Sequence, residues 1–258
     1  MAGAPQSAFS TVSHDVHRMR RAALSPFFSK KRITDLSPRI TAKVSILCNL
    51  LAKRIGTTEV VDINTPFMAL TSDIIMEYCY GKDLGFLQEP DFKQQWKDTM
   101  TTMFENAAFR RAVPWLTYLL QKLPNAYILK LMPSMEILIN WQNDIKRQVE
   151  TILLNKQGTG KTQEEKEADS IFRALRDNEE LPVAEKSVQR LADEGEVLIA
   201  AASETTAKTL TWTAFYIIDT PGVLEKLREE LKSVMKSSTD EPSLTELEKL
   251  PYLVIYRG

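Results

Sequence analysis

From Pro182 to Thr220 helix-favouring residues run without a strong breaker, and Pro221-Gly222 stops them. The run predicts one helix of roughly 35 residues, about 50 Å long, which exceeds the usual globular helix. Within it, Val197 to Ile218 is apolar or small nearly all round, with Glu204 and Lys208 as its charged residues. A helix with so little polar surface is expected to cross the middle of a protein.

The rest of the chain supports helices around that rod, because apolar residues recur at three and four positions and alternation of period two is almost absent. Ser13 can cap a helix over His14 to Leu24 that Pro26 should stop, and Arg18, Arg20 and Arg21 make it basic. Pro38 suits the first turn of a second helix, with Ile40, Val44, Leu47, Cys48 and Leu51 on one face until Gly56. That places Cys48 in the core. After an extended stretch, Glu59 to Ile63, a buried helix is expected over Leu70 to Tyr80, terminated by Gly81. Asp91 to Ala107 and Ser134 to Asn155 read as amphipathic helices separated by a stretch punctuated by Pro114, Pro124 and Pro133. Lys156 to Asp169 is expected as an exposed loop, Val223 to Lys236 as a further helix, and Ser243 as the start of a short helical turn before Pro251. The class is mainly α, with residues 1–258 forming one domain.

With 43% hydrophobic residues the 258-residue chain can bury a sizeable core. Its 33 basic and 34 acidic residues leave a net charge of −1, so no global field recruits nucleic acid or an anionic membrane. Cys48 and Cys79 are the two cysteines, without zinc-ligand spacing or a disulfide framework, which fits a reducing compartment. Met1 to Ser10 has no apolar stretch long enough for a signal peptide or membrane span. Gly158-Thr159-Gly160-Lys161-Thr162 imitates a phosphate-binding loop, but the spacing needs glycine where Asn155 stands.

Chemistry concentrates in Ala201-Ala202-Ser203-Glu204-Thr205-Thr206. An acid in an apolar helix costs free energy unless paired or functional, and Lys208, four residues on, is placed for an ion pair. The small residues would let a flat ligand approach the backbone, and Thr205 can turn its hydroxyl onto the carbonyl of Ala201. An acid beside a hydroxyl can relay protons from water. On the first helix His17 and Arg21 stand four apart and offer donors to a carboxylate or propionate.

Together these residues resemble the cytochrome P450 family, particularly its fungal secondary-metabolite members. His14-Asp15-Val16-His17-Arg18-Met19-Arg20-Arg21, with Leu24-Ser25-Pro26-Phe27-Phe28-Ser29, is similar to the family's C helix and its exit. Ala201 to Thr206 resembles the oxygen groove of its I helix, and Leu244 to Leu253 the approach to its K helix. The resemblance implies a b-type haem, with His17 and Arg21 on its propionates and Glu204 and Thr205 managing protons. Ala201, Ala202 and Thr206 would border the cofactor. It also implies electrons from an NADPH-cytochrome reductase, which basic residues such as Arg18 and Arg20 could meet, and an apolar small-molecule substrate. Complete relatives are expected on the cytosolic face of the endoplasmic reticulum membrane.

The same resemblance marks what these 258 residues do not contain: the glutamate-x-x-arginine pair expected soon after Leu253, the cysteine loop that supplies the axial thiolate, and an anchor with the first sheet strands. The expectation is an incomplete, anchorless and therefore cytoplasmic P450-type domain with little β structure, inactive by itself. A helical binding or scaffold protein, in which Glu204 and Lys208 form a structural pair, is the alternative. An all-helical terpene cyclase is disfavoured by the lack of clustered magnesium-binding aspartates.

Overall fold

The computed structural model describes residues 4–58, 60–105, 108, 112–113, 115, 119, 122–131, 135–154, 170–237 and 240–254. Every regular element among them is a helix, and none is a strand. In chain order they are α1 (His14–Leu24), α2 (Lys30–Ala52), α3 (Asn64–Tyr80), α4 (Gln94–Glu105), α5 (Asn125–Leu131), α6 (Glu136–Leu154), α7 (Ile171–Asp177), α8 (Val188–Asp219), α9 (Val223–Leu231), α10 (Leu244–Leu247) and α11 (Pro251–Val254). The proposed loop over 156–169, its phosphate-loop imitation, Pro114 and Pro133 lie outside the described residues.

The core forms where α3 crosses α8, with α4, α6 and α7 packed around the pair. α3 is buried on nearly all sides and ends at Gly81, whose φ of 73° is the left-handed conformation that closes a helix. Trp96 of α4 and Trp141 of α6 meet edge to face at 5.0 Å, and Tyr80 stacks on Phe172 at 4.7 Å.

Several sequence expectations shift. α1 ends where expected, ahead of a 3-10 turn over Ser25–Phe28, but Ser13 makes no side-chain cap. α2 begins at Lys30, because the Ser29 hydroxyl caps it by accepting from the Arg32 amide, so Pro38 lies inside the helix. The buried stripe of α2 is Leu36, Lys43 and Leu47, and Cys48 is exposed. A lysine on that stripe disguised it: the Lys43 ammonium is buried against the Asp83 and Glu77 carboxylates. The 60–63 segment forms no strand.

The long helix starts at Val188, six residues later than expected. Pro182 opens a separate 3-10 turn over Val183–Lys186, and the Ser187 hydroxyl accepts from Arg190 N to cap α8. Its 32 residues divide into two unlike halves. Arg190 to Ala207 is largely buried, whereas Trp212, Phe215, Tyr216 and Ile218 are 49–75% exposed. α8 therefore passes through the described core along its first half only.

Candidate active site

The first turns of α8 carry four buried charged residues, Arg190, Asp193, Glu194 and Glu196. Three of them are bound into a clasp around the segment preceding α1. Gln6 N donates to Asp193 Oδ2 at 2.7 Å and Ala8 N to Glu194 Oε2 at 2.9 Å. Arg20 of α1 binds both Glu185 oxygens through Nε and Nη2, at 2.7 and 2.9 Å, while its Nη1 holds Gln6 O and Thr11 Oγ1. Arg190 reaches the same Glu185 at 3.0 Å and Glu194 at 2.5 Å. The bonds from Arg20 and Arg190 hold the Glu185 carboxyl below the ordinary glutamate range. Glu196 differs. Burial pushes its carboxyl up to about 7, against one hydrogen bond from Gln142 Nε2 at 2.8 Å.

Two turns on lies the small-residue stretch. Thr205 Oγ1 donates to Ala201 O at 2.6 Å, the back-bond the spacing predicts, and Thr209 repeats it onto Thr205 O at 2.9 Å. Ala201, Thr205 and Thr206 are exposed and Ala202 is half-buried, so a face of small side chains and bare backbone is open along the helix. Glu204, on an adjoining face, is 2% exposed. The Lys208 ammonium lies 2.6 Å from its Oε1 as an ion pair, and Oε2 has no hydrogen-bond partner among the described residues. The acid thus keeps acceptor capacity in a dry setting, beside a hydroxyl whose proton is held on a carbonyl.

Ser203 was not singled out by the sequence, yet it carries the polar contacts beneath this stretch. The Trp96 indole donates to Ser72 Oγ at 2.9 Å, Ser72 Oγ lies 3.1 Å from Ser203 Oγ, and Thr71 Oγ1 lies 3.1 Å from Ser203 O. Partners separated by more than 100 positions leave no local spacing to find.

On α1, His17 Nδ1 donates to Ala8 O at 2.9 Å, since a carbonyl only accepts. Arg21 is exposed, and its side chain makes no hydrogen bond or ion pair among the described residues. His17 and Arg21 share no such bond with Ala201 to Thr206. Arg20, expected to face a partner, is instead consumed by the clasp; Arg18 is exposed, and its guanidinium lies 3.3 Å from His14 Nδ1.

The described elements are thus helical throughout and are built on one long helix that sets an acid and a hydroxyl beside an open face of small residues. The family profile for cytochrome P450 matches residues 4–255. Cytochrome P450 monooxygenase TRI4 of Fusarium sporotrichioides is 36% identical over 98% of the chain and 48% of its own length. Tryptophan 6-hydroxylase fscE of Fusarium equiseti is 35% identical over 99% and 49%, and cytochrome P450 monooxygenase astB of Aspergillus terreus 32% over 96% and 48%. A crystal structure of the cytochrome P450 CYP102L1 superposes with a TM-score of 0.69 at 16% identity, covering 97% of this chain and 51% of that one. The chain belongs to the cytochrome P450 family. It spans about half the length of the curated relatives it matches.

Two separate features suit the chemistry of a haem. Arg21 offers an uncommitted guanidinium for a propionate, and the open face at Ala201 and Thr205 lets a planar group approach the helix. No axial ligand fits. Cys79 is fully buried in the last turn of α3, where burial and then the Glu194 charge push its thiol up, and Cys48 lies on the outer side of α2. No cluster of three metal-binding side chains occurs among the described residues, and no helix among them is long and apolar enough to cross a membrane.

Proposed function

We propose that these residues form the oxygen-side half of a haem-thiolate monooxygenase that oxidises an apolar small molecule of secondary metabolism. The observation that carries the reading is the pairing of a buried Glu204, whose Oε2 has no hydrogen-bond partner among the described residues, with Thr205, whose hydroxyl is held on Ala201 O. Haem iron with a thiolate ligand supplies oxygen activation. The part of this chain is to place protons. Glu204 takes one from the solvent side, where Lys208 is half exposed, and Thr205 Oγ1, its own proton held on Ala201 O, offers its lone pairs as an acceptor at the open face. Ala201, Ala202 and Thr206 keep that face low enough for a flat group, while Arg21 and the imidazole of His17 hold its carboxylates.

The thiolate comes from residues outside these 258, because neither cysteine here can supply it, and the chain alone does not turn over substrate. Electrons come from an NADPH-cytochrome reductase docking near Arg18, with the complete protein on the cytosolic face of the endoplasmic reticulum membrane. Support for both is the family and its fungal relatives, three of which are named as monooxygenases or a hydroxylase. A non-catalytic helical scaffold is the second reading, favoured by the Glu204–Lys208 ion pair.

The deciding experiment compares haem-loaded complete protein with its Glu204→Gln/Thr205→Val variant. The expected result is a large loss of product per electron consumed, with reducing equivalents lost to peroxide. Equal coupling in both proteins sinks the reading, and a haem titration without a Soret shift supports the scaffold.

A further inference from the structure

Glu204 and Thr205 are consecutive, so they project about 100° apart around α8, and the turn of the helix about its axis decides where each one points. Apolar interlock is poor there. Ala200, Ala202 and Ala207 offer almost no knobs for neighbouring helices to grip. Between Glu196, tied to Gln142, and Thr211, tied to Asn64, the side-chain hydrogen bonds that leave α8 for another helix among the described residues are those on Ser203.

An indole only donates, so Ser72 Oγ accepts from Trp96, and the same oxygen closes a second hydroxyl–hydroxyl bond with Ser203 Oγ at 3.1 Å. Ser72 and Ser203 are fully buried and Trp96 nearly so. Leaving either hydroxyl unpaired there would cost free energy, so the network selects one rotation of α8 over its neighbours. Thr71 adds its hydroxyl to Ser203 O, sharing that proton with the Phe67 and Met68 carbonyls of its own helix.

We propose that Ser72, backed by Trp96 and flanked by Thr71, is a positioning residue for the Glu204–Thr205 pair, gripping Ser203 and fixing how α8 presents the acid and the hydroxyl. This rests on the function proposed above.

Two readouts test it. In the 258-residue chain, Ser72→Ala raises amide hydrogen exchange over residues 203–207 roughly tenfold, the loss of one buried hydrogen bond, and leaves residues 191–194 unchanged. Exchange that is unchanged, or raised equally along the whole of α8, overturns the proposal. In haem-loaded complete protein, Ser72→Ala and the isosteric Thr71→Val each shift the stretching frequency of carbon monoxide bound to ferrous haem, and Glu204→Gln/Thr205→Val serves as control. If the control shifts the frequency and both α3 variants do not, positioning through Ser203 is wrong. If the control does not shift it either, the acid–hydroxyl reading falls and takes this one with it. A merely structural Ser72 would lower stability, raise exchange equally along α8 and leave the carbon monoxide frequency where it is.

Discussion

Tyr80 of α3 drives its phenol oxygen against the backbone of Gly195 in α8, inside the volume that any β-carbon there would occupy. The hydroxyl is buried without a hydrogen-bond partner among the described residues, and burial pushes its pKa well above the ordinary phenol value. The two central helices thus touch at a point where one side must be bare.

Gly195→Ala should therefore destabilise the chain by about 1–3 kcal/mol, the range for overpacking a core. Tyr80→Phe removes only an unpaired hydroxyl and should be close to neutral. The double variant should recover part of the alanine cost, seen as a coupling above about 0.5 kcal/mol in urea unfolding. Additive effects would show that the two residues do not compete for the same space.

Glu196 sets a pH dependence. Its folded carboxyl, near 7, lies above the ordinary 4.5, so between those values the folded chain keeps a proton that the unfolded chain has released. Stability should fall as pH rises through that window. Glu196→Gln should flatten the fall and leave the protein more stable at pH 8 by roughly 2–3 kcal/mol, measured by urea midpoints at pH 5 and 8. Asp73, raised by burial to about 6 while accepting the Phe86 and Leu87 amides, contributes in the same direction over a lower range.

The clasp behaves oppositely. Because Arg20 and Arg190 hold the Glu185 carboxyl low, its contribution is present above the unfolded carboxyl range and is lost as pH falls through the folded value. Arg20→Ala leaves Glu185 short of a partner and should cost about 3 kcal/mol. Proteolysis should then open the chain at residues 6–11 before it opens elsewhere. Cleavage at an unchanged rate would refute the clasp.

Trp212, Phe215 and Tyr216 form an exposed aromatic ridge with ring centroids 5.4–6.2 Å apart. The isolated chain should self-associate through it, and Trp212→Lys should weaken association in sedimentation while moving unfolding by less than about 0.5 kcal/mol. An unchanged sedimentation profile would exclude the ridge.

Local rules carried much of the architecture. The end of α3 at Gly81, the stop of α8 before Pro221 and the Ser243 start, which closes as a capping box with Glu246, all depend on neighbours within four residues. So does the Thr205 back-bond. What escaped was set at long range. Cys48 was misplaced because Lys43 finds its carboxylates on α3 and at Asp83, and Arg20 was misjudged because Glu185 lies 165 positions away. Ser203, small and uncharged, acquires a role only from what α3 and α4 bring to it.

α8 is set into the core along one half, while the other half is tied to α3 through Thr211 and leaves its aromatic ridge uncovered among the described residues. Whatever settles on that ridge bears on the far end of the helix, about two and a half turns past Ser203, with the Thr211 tether standing between it and the acid and the hydroxyl.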